Sequence, residues 1–384
     1  MIEIPLETRH RILWGDAANL AVSDSTVDLV VTSPPYPMIA MWDNVFQNQS
    51  PEVAEALMRR NGMGAFDAMH QALDRVWHEL WRVLKPGAVA CINIGDAVRT
   101  IDGVFTLYPN HARILSALIG IGFNPLPAVI WRKQTNAPNK FMGSGMLPAG
   151  AYVTLEHEFV LVARKGNKRT FESPAERLRR QRSAFFWEER NHWFSDVWFE
   201  LKGTRQRLSK SQRARSGAFP LELAYRLICM YALRGDMVLD PFLGTGSTLV
   251  AAMAAGRNCI GVEIDRSLDS VVRSGIDEMV PWANARVEQR LAAHAEFVEA
   301  RQASHGPLRH RNTCYGFPVV TSQETRLWIE RSTAVQPLSE NEFAVVYAPI
   351  TPAANPVKGQ GPNTASTAAN QRPARTRQLR LPNS

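Results

Sequence analysis

The chain has 384 residues, 45% of them hydrophobic and 21% charged, which is apolar content for one large core or two smaller ones. No apolar run nears the roughly 18 residues of a membrane span. The charged opening "MIEIPLETRHRILWGD" lacks the apolar core of a secretion signal, so a cytoplasmic protein is expected, and the formal charge of +8 favours a polyanionic partner.

Along the chain, Ile12–Trp14 reads as a short strand ending at Gly15-Asp16. "VDLVVT" (27–32) is a strand, and "SPPY" (33–36) is the loop at its carboxyl end. Consecutive prolines lack N–H groups and have fixed φ, so they continue neither strand nor helix and hold backbone carbonyls rigidly. Ser50 and Pro51 suit an N-cap and a first helical position. From Phe66 to Leu84, Leu73, Trp77, Leu80, Trp81 and Leu84 recur at helical spacing, and "KPG" (85–87) stops that helix. "AVACINIG" (88–95) is a buried strand, 109–121 a helix, and "AVIWRK" (128–133) and "EFVLVARKG" (158–166) are strands. "EHE" (156–158) reads as a strand start with one buried residue, not a metal site, and Trp77, Trp81 and Trp131 as core. "MWD" (41–43) is a candidate cover for whatever the diproline loop holds. Cys91, Cys229, Cys259 and Cys314 lack CxxC spacing, so neither zinc nor a redox motif is expected.

Residues 164–215 hold 15 Lys and Arg against 6 Asp and Glu, a local excess larger than that of the whole chain. The rings Phe171, Phe185, Phe186, Trp187, Trp193, Phe194, Trp198 and Phe199 interleave with these charges. Phosphate neutralisation combined with base stacking accounts for such a mixture. A nucleic-acid-recognition insert is expected here, with Arg177, Arg179, Arg180 and Arg182 of "RLRRQR" on phosphates.

"FPLELAYRLICMYAL" (219–233) is helical, and "DMVLDPFLGTGSTLVAAMAAGRNCIGVEID" (236–265) then reads strand, Gly loop, helix, strand, acid. Gly244 and Gly246 permit a tight turn with close backbone approach to a ligand, at a helix N-terminus suited to a polar or anionic group. Glu263, 23 residues after Asp240, is placed to accept from both hydroxyls of a ribose. The third glycine of a dinucleotide fingerprint and the lysine of a P-loop are both missing, so a single-nucleoside cofactor fits best, with S-adenosylmethionine the natural candidate. Residues 284–303 form a charged helix, 314–350 a small appended unit with strand-like "FAVVYA", and 351–384, with five Lys or Arg and no acid, a disordered basic tail. Strands alternating with helices predict an α/β, doubly wound sheet.

"TSPPY" together with "DPFLGTGST…GVEID" resembles the DNA amino-methyltransferases, which methylate the exocyclic amine of cytosine or adenine. The catalytic motif precedes the cofactor motif, the circularly permuted order of the class called beta. The resemblance covers roughly residues 10–280 and implies a Rossmann-like sheet, mostly parallel with an antiparallel hairpin strand. It divides the chain into a catalytic half (10–163), a basic target-recognition insert (164–215), a cofactor half (216–303), a small extension (304–350) and the tail (351–384). It implies that Asp240, Pro241, Phe242, Gly244, Thr245, Gly246 and Ser247 bind the methionine part of S-adenosylmethionine, that Phe219-Pro220 also touches the cofactor, and that Asp16 lies near its adenine. It implies further that the Ser33 hydroxyl and Pro34 carbonyl accept the amine's N–H bonds, while Pro35 fixes the turn and Tyr36 stacks on the base. Ser-Pro-Pro-Tyr is typical of cytosine-N4 enzymes; an adenine-N6 enzyme and a catalytically inactive DNA-binding protein are the alternatives. Double-stranded DNA is the expected partner, and the resemblance leaves room for a cognate restriction endonuclease.

Overall fold

In "VDLVVT" all six residues are buried, the mark of a strand covered on both faces. Its side chains alternate: Leu29 and Val31 enter one hydrophobic core and Val30 the other. The computed structural model describes residues 7–133, 142–201 and 219–350; the expected basic tail and residues 202–215 of the basic segment lie outside them.

Ten strands form one sheet: β1 Glu7–Trp14, β2 Val27–Thr32, β3 Leu84–Ile94, β4 Phe123–Arg132, β5 His157–Lys165, β6 Val197–Trp198, β7 Met237–Asp240, β8 Asn258–Glu263, β9 Glu330–Ser339 and β10 Glu342–Pro349. Their order is β6-β4-β5-β3-β2-β7-β8-β1-β10-β9. The run β3-β2-β7-β8-β1 is parallel, and β5 runs antiparallel between β3 and β4. The helix Gly62–Val83, started by an Asn61 side chain that accepts from the Gly64 amide at 2.9 Å, buries Met69, Trp77 and Leu80 on one face of the sheet. Leu221–Tyr231, Ser247–Ala255 and Asp269–Asp277 bury Leu223, Leu249 and Val272 on the other. This is the doubly wound architecture expected from the sequence.

Several elements differ from expectation. β1 starts at Glu7, five residues early, because its partners β8 and β10 extend the pairing. "KPG" lies inside β3. The helix Asp43–Gln49 and the hairpin Ala97–Ile101 with Val104–Tyr108 went unforeseen. The segment 314–350 is not a separate appendage: β10 pairs with β1 and β9 with β10, so it widens the main sheet.

The largest correction concerns the basic segment. Phe186, Trp193 and Trp198 are buried, and Phe186 stacks on His294 at 3.9 Å between centroids, so these rings pack the fold and offer no face to a base. The helix Pro174–Arg182 is held at the amino edge of the sheet, where Arg179 donates to buried Asp236 and, at 2.6 Å, to the Arg234 carbonyl. Arg169 reaches the same carboxylate at 2.7 Å. Arg177 donates to the Glu172 carbonyl at 2.5 Å, while Arg180 lies over Phe171 and Arg182 over Trp328. Asp236 immediately precedes β7 and Asp240 closes it, so the strand's length, roughly 13 Å, separates these arginines from the opposite edge. Part of the segment's charge is therefore neutralised inside the fold.

Arg179→Ala should lower the unfolding free energy by about 1–3 kcal/mol, the range for a hydrogen bond to a charged group. Arg177→Ala, at an exposed position, should stay within about 0.5 kcal/mol of wild type. Denaturant unfolding measures both, and equal small effects would return Arg179 to the surface.

Candidate active site

The parallel strands deliver their carboxyl ends to one edge of the sheet, where α/β folds bind ligands. β2 and β7 are neighbours, with Leu29 opposite Val238 and Val30 opposite Leu239. Their ends are tied together by Thr32 Oγ1, which donates to Asp240 Oδ1 at 2.6 Å. The diproline loop and the glycine loop, 208 residues apart at this bond, thereby emerge side by side. Between them lies a cavity of about 820 Å³, large for one nucleoside and within the range of small-molecule sites.

On the glycine-loop side, Gly244 and Gly246 have φ of +54° and +86°, values that L side chains adopt only with strain. The turn is closed by the Gly246 amide donating to the Leu243 carbonyl at 2.9 Å and leads directly into the helix Ser247–Ala255. Glu263, at the end of β8, accepts from the Gly244 amide at 2.8 Å, the Asp265 amide at 2.9 Å and the Ile264 amide at 3.0 Å. Burial raises its pKa, and these three amides oppose that rise. Burial likewise pushes Asp240 up to about 6, against the stabilising bond from Thr32. Asp16, Phe219, Asp240, Pro241, Phe242, Gly244, Thr245, Ser247 and Glu263 all line the cavity. Gly246 and Pro220 are not among the lining residues; they precede the first turns of the helices Ser247–Ala255 and Leu221–Tyr231, and act by shaping those turns. Two fixed carboxylates, a glycine turn and a helix start suit a nucleoside bearing cationic groups.

On the other side, Ser33, Pro34, Pro35 and Tyr36 line the same cavity. Ser33 Oγ donates to Tyr36 Oη at 3.1 Å, and Tyr36 Oη donates to Glu158 Oε2 at 2.9 Å. Asn93 Nδ2 donates to Tyr36 Oη at 2.8 Å and to Glu158 Oε2 at 2.7 Å, and Lys133 Nζ donates to Glu158 Oε1 at 2.8 Å. Burial and the Glu158 carboxylate together hold the Tyr36 phenol protonated, well above its usual range. Gly95 allows this packing: a Cβ there would stand 3.1 Å from Tyr36 Cε2 and 3.2 Å from Glu158 Cγ. Met41 and Trp42 line the mouth, and Asp43 anchors the helix behind them through two 2.8 Å bonds from Arg99.

The sequence reading assigns Asn93 and Lys133 no site role and takes Glu158 only as part of a strand start, where it is indeed buried. Glu158 faces Trp131 in the β4–β5 pairing, which brings Lys133 to it from 25 residues away. The available signal is an acid near the start of an apolar strand and a lysine just past the end of its neighbour.

Residues 27–271 match the model of the N6/N4 DNA methylase family. The chain is 45% identical over 350 residues to the Type II methyltransferase M.MthZI of Methanothermobacter thermautotrophicus, an alignment covering 90% of this chain and 97% of that one. It is 47% identical over 288 residues to the Type II methyltransferase M.MjaI of Methanocaldococcus jannaschii, covering 72% and 94%. Among solved structures it is similar to a proposed DNA modification methylase of Thermus thermophilus complexed with S-adenosyl-L-methionine, with a TM-score of 0.55, 31% identity, and coverage of 71% of this chain and 96% of that one.

Gly95→Ala should cost about 1–3 kcal/mol of stability, the usual penalty for overpacking a filled site. Thermal melting measures this, and an unchanged melting temperature would mean that Tyr36 and Glu158 are less tightly placed against residue 95.

Proposed function

This chain belongs to the N6/N4 DNA methylase family, and we propose that the amine it methylates is the exocyclic N4 of cytosine in double-stranded DNA. Transfer from S-adenosylmethionine to DNA is the activity of the family; the choice of amine is the proposal. The observation that carries it is Ser33 at the head of a diproline loop, held beside the glycine loop by the Thr32–Asp240 bond.

An amine conjugated to a ring is a poor nucleophile because its lone pair is delocalised. Two acceptors on its N–H bonds favour a tetrahedral nitrogen and free that pair. Ser33 Oγ and the Pro34 carbonyl are the acceptors of this reading, and neither Pro34 nor Pro35 brings a competing N–H. The cofactor, when bound, supplies an electrophilic methyl on a sulfonium. In this reading Glu263 accepts from its ribose hydroxyls, and Asp240 with the glycine turn meets its cationic methionine end; Glu263, Asp240, Gly244, Thr245 and Ser247 line the cavity. Tyr36 lines the cavity beside Ser33, in reach of an extruded base; the target leaves the duplex stack to enter. No covalent intermediate is required, so the four free cysteines carry no role in transfer.

The relatives named as Type II methyltransferases support a place in a restriction-modification system, with a cognate endonuclease as partner and the prokaryotic cytoplasm as location. None of the helices among the described residues is long and apolar enough to cross a membrane.

The test of the amine is direct. The protein is incubated with duplex DNA and isotopically labelled S-adenosylmethionine, the DNA is digested to nucleosides, and the labelled one is identified by mass. N4-methyl-2′-deoxycytidine is expected; N6-methyl-2′-deoxyadenosine would replace the cytosine reading with the adenine one, and no label would favour the inactive DNA-binding alternative.

The pocket acids make cofactor binding pH-dependent. Asp240, at about 6 in the free protein, is ionised above that pH. A bound cation favours the ionised form and lowers this raised pKa, so affinity should be full above about pH 7 and fall as pH drops through 6. Asp240→Asn should flatten this profile in calorimetric titrations between pH 5 and 8. A wild-type profile already flat would remove Asp240 from the cofactor's surroundings.

A further inference from the structure

The direction of the hydrogen bonds around Tyr36 carries more than packing. Glu158 receives three donors, from Tyr36, Asn93 and Lys133, and the ammonium of Lys133 fixes the oxygen that Tyr36 does not use. A carboxylate only accepts, so the one hydrogen of Tyr36 is committed to Glu158. The Tyr36 oxygen then accepts from the Asn93 amide and from Ser33. The one hydrogen of Ser33 is thereby turned inward, and its oxygen shows the cavity only lone pairs.

The Asn93 amide bears this out. Its Oδ1 is buried with no partner among the described residues, a cost the network bears because the reverse orientation would set a carbonyl oxygen against the Glu158 carboxylate. The polarity of the whole chain thus starts at residue 158. Were that residue able to donate, Tyr36 could turn its hydrogen to Ser33, and Ser33 could point its own hydrogen at the amine. A serine that donates to the amine opposes methyl transfer, because it engages the lone pair that must attack.

Resting on the reading that Ser33 accepts from the target amine, we propose that Glu158 is a positioning residue, which acts through Tyr36 to hold Ser33 as an acceptor. The inference applies to cytosine or adenine alike, since both present the same amine geometry.

Three variants test it in single-turnover methyl transfer to duplex DNA, alongside binding measurements for cofactor and DNA. Glu158→Gln keeps the shape but can donate from its amide, and Tyr36→Phe deletes the relay hydroxyl alone. Each should slow turnover by about ten- to a hundredfold, with DNA and cofactor affinities within about twofold of wild type. In the double variant the losses should not multiply, because both break one chain; its rate should match that of Tyr36→Phe within about threefold. Glu158→Asp should recover part of the rate.

If Glu158→Gln fails to fold, Tyr36→Phe decides alone: turnover at the wild-type rate overturns the inference. Losses that multiply, or a raised KM with unchanged kcat, also overturn it. Ser33→Ala separates this from the underlying reading. If that variant leaves turnover unchanged, the acceptor role of Ser33 falls and the Glu158 role with it; if it slows turnover while Glu158→Gln and Tyr36→Phe do not, only the inference fails.

Discussion

A buried hydrogen bond, Thr32 to Asp240 at 2.6 Å, joins the two halves of the site. It closes the carboxyl ends of β2 and β7, and at their amino ends Asp28 accepts from the Met237 amide at 3.0 Å and from Lys85 at 2.8 Å. The strand pair is therefore fixed at both ends by buried acids. Such pins matter because slipping one residue would turn every side chain of β2 to the opposite face. With Leu29 and Val31 in one core and Val30 in the other, a slip would also scramble both cores. The geometry of the diproline loop against the glycine loop is thus set by the sheet and not by the loops.

The second constraint is electrostatic. Asp240, Glu263 and Glu158 crowd one cavity, and each is held by donors supplied by the fold. Glu263 uses its lone pairs on three backbone amides, one of which belongs to Gly244 in the glycine turn, so acid and turn position one another. Glu158 is balanced by Lys133, and Asp240 by Thr32 and the Phe242 amide. Fixed dipoles of this kind need little rearrangement when charge develops on a reacting nitrogen. At the other edge, Asp236 gathers Arg169 and Arg179 and anchors the helix Pro174–Arg182. Acids at both edges therefore organise the sheet, with different consequences: one set faces a cavity, the other secures a helix.

What the sequence made legible follows from distance along the chain. "SPPY", the "GTG" turn and Glu263 are local patterns, and the structure brings them to one cavity. The strand-helix alternation was likewise local and yielded the doubly wound sheet. Glu158, Lys133 and Asn93 act only through one another across three strands, and no short window contains them. Of the arginines of "RLRRQR", Arg179 is the one whose surroundings a count of local charge cannot see: Asp236, more than 50 residues ahead, takes up Arg179 together with Arg169. Phe186, Trp193 and Trp198 belong to the core; aromatic residues serve a core and a stacking platform equally well, and only burial tells the two apart. β9 and β10 read as an appendage because β1, the partner that joins β10 to the main sheet, stands at the other end of the chain.

The central claim is that the target amine sits between Ser33 and Pro34 beside the cofactor's methyl. A crystal structure of the protein with duplex DNA and an unreactive cofactor analogue tests it most directly. The expected complex holds an extruded cytosine with its N4 within about 3.2 Å of both Ser33 Oγ and the Pro34 carbonyl oxygen, its ring along Tyr36, and the analogue's ribose on Glu263. An extruded base whose amine meets neither acceptor, or an analogue bound away from Glu263, would contradict it.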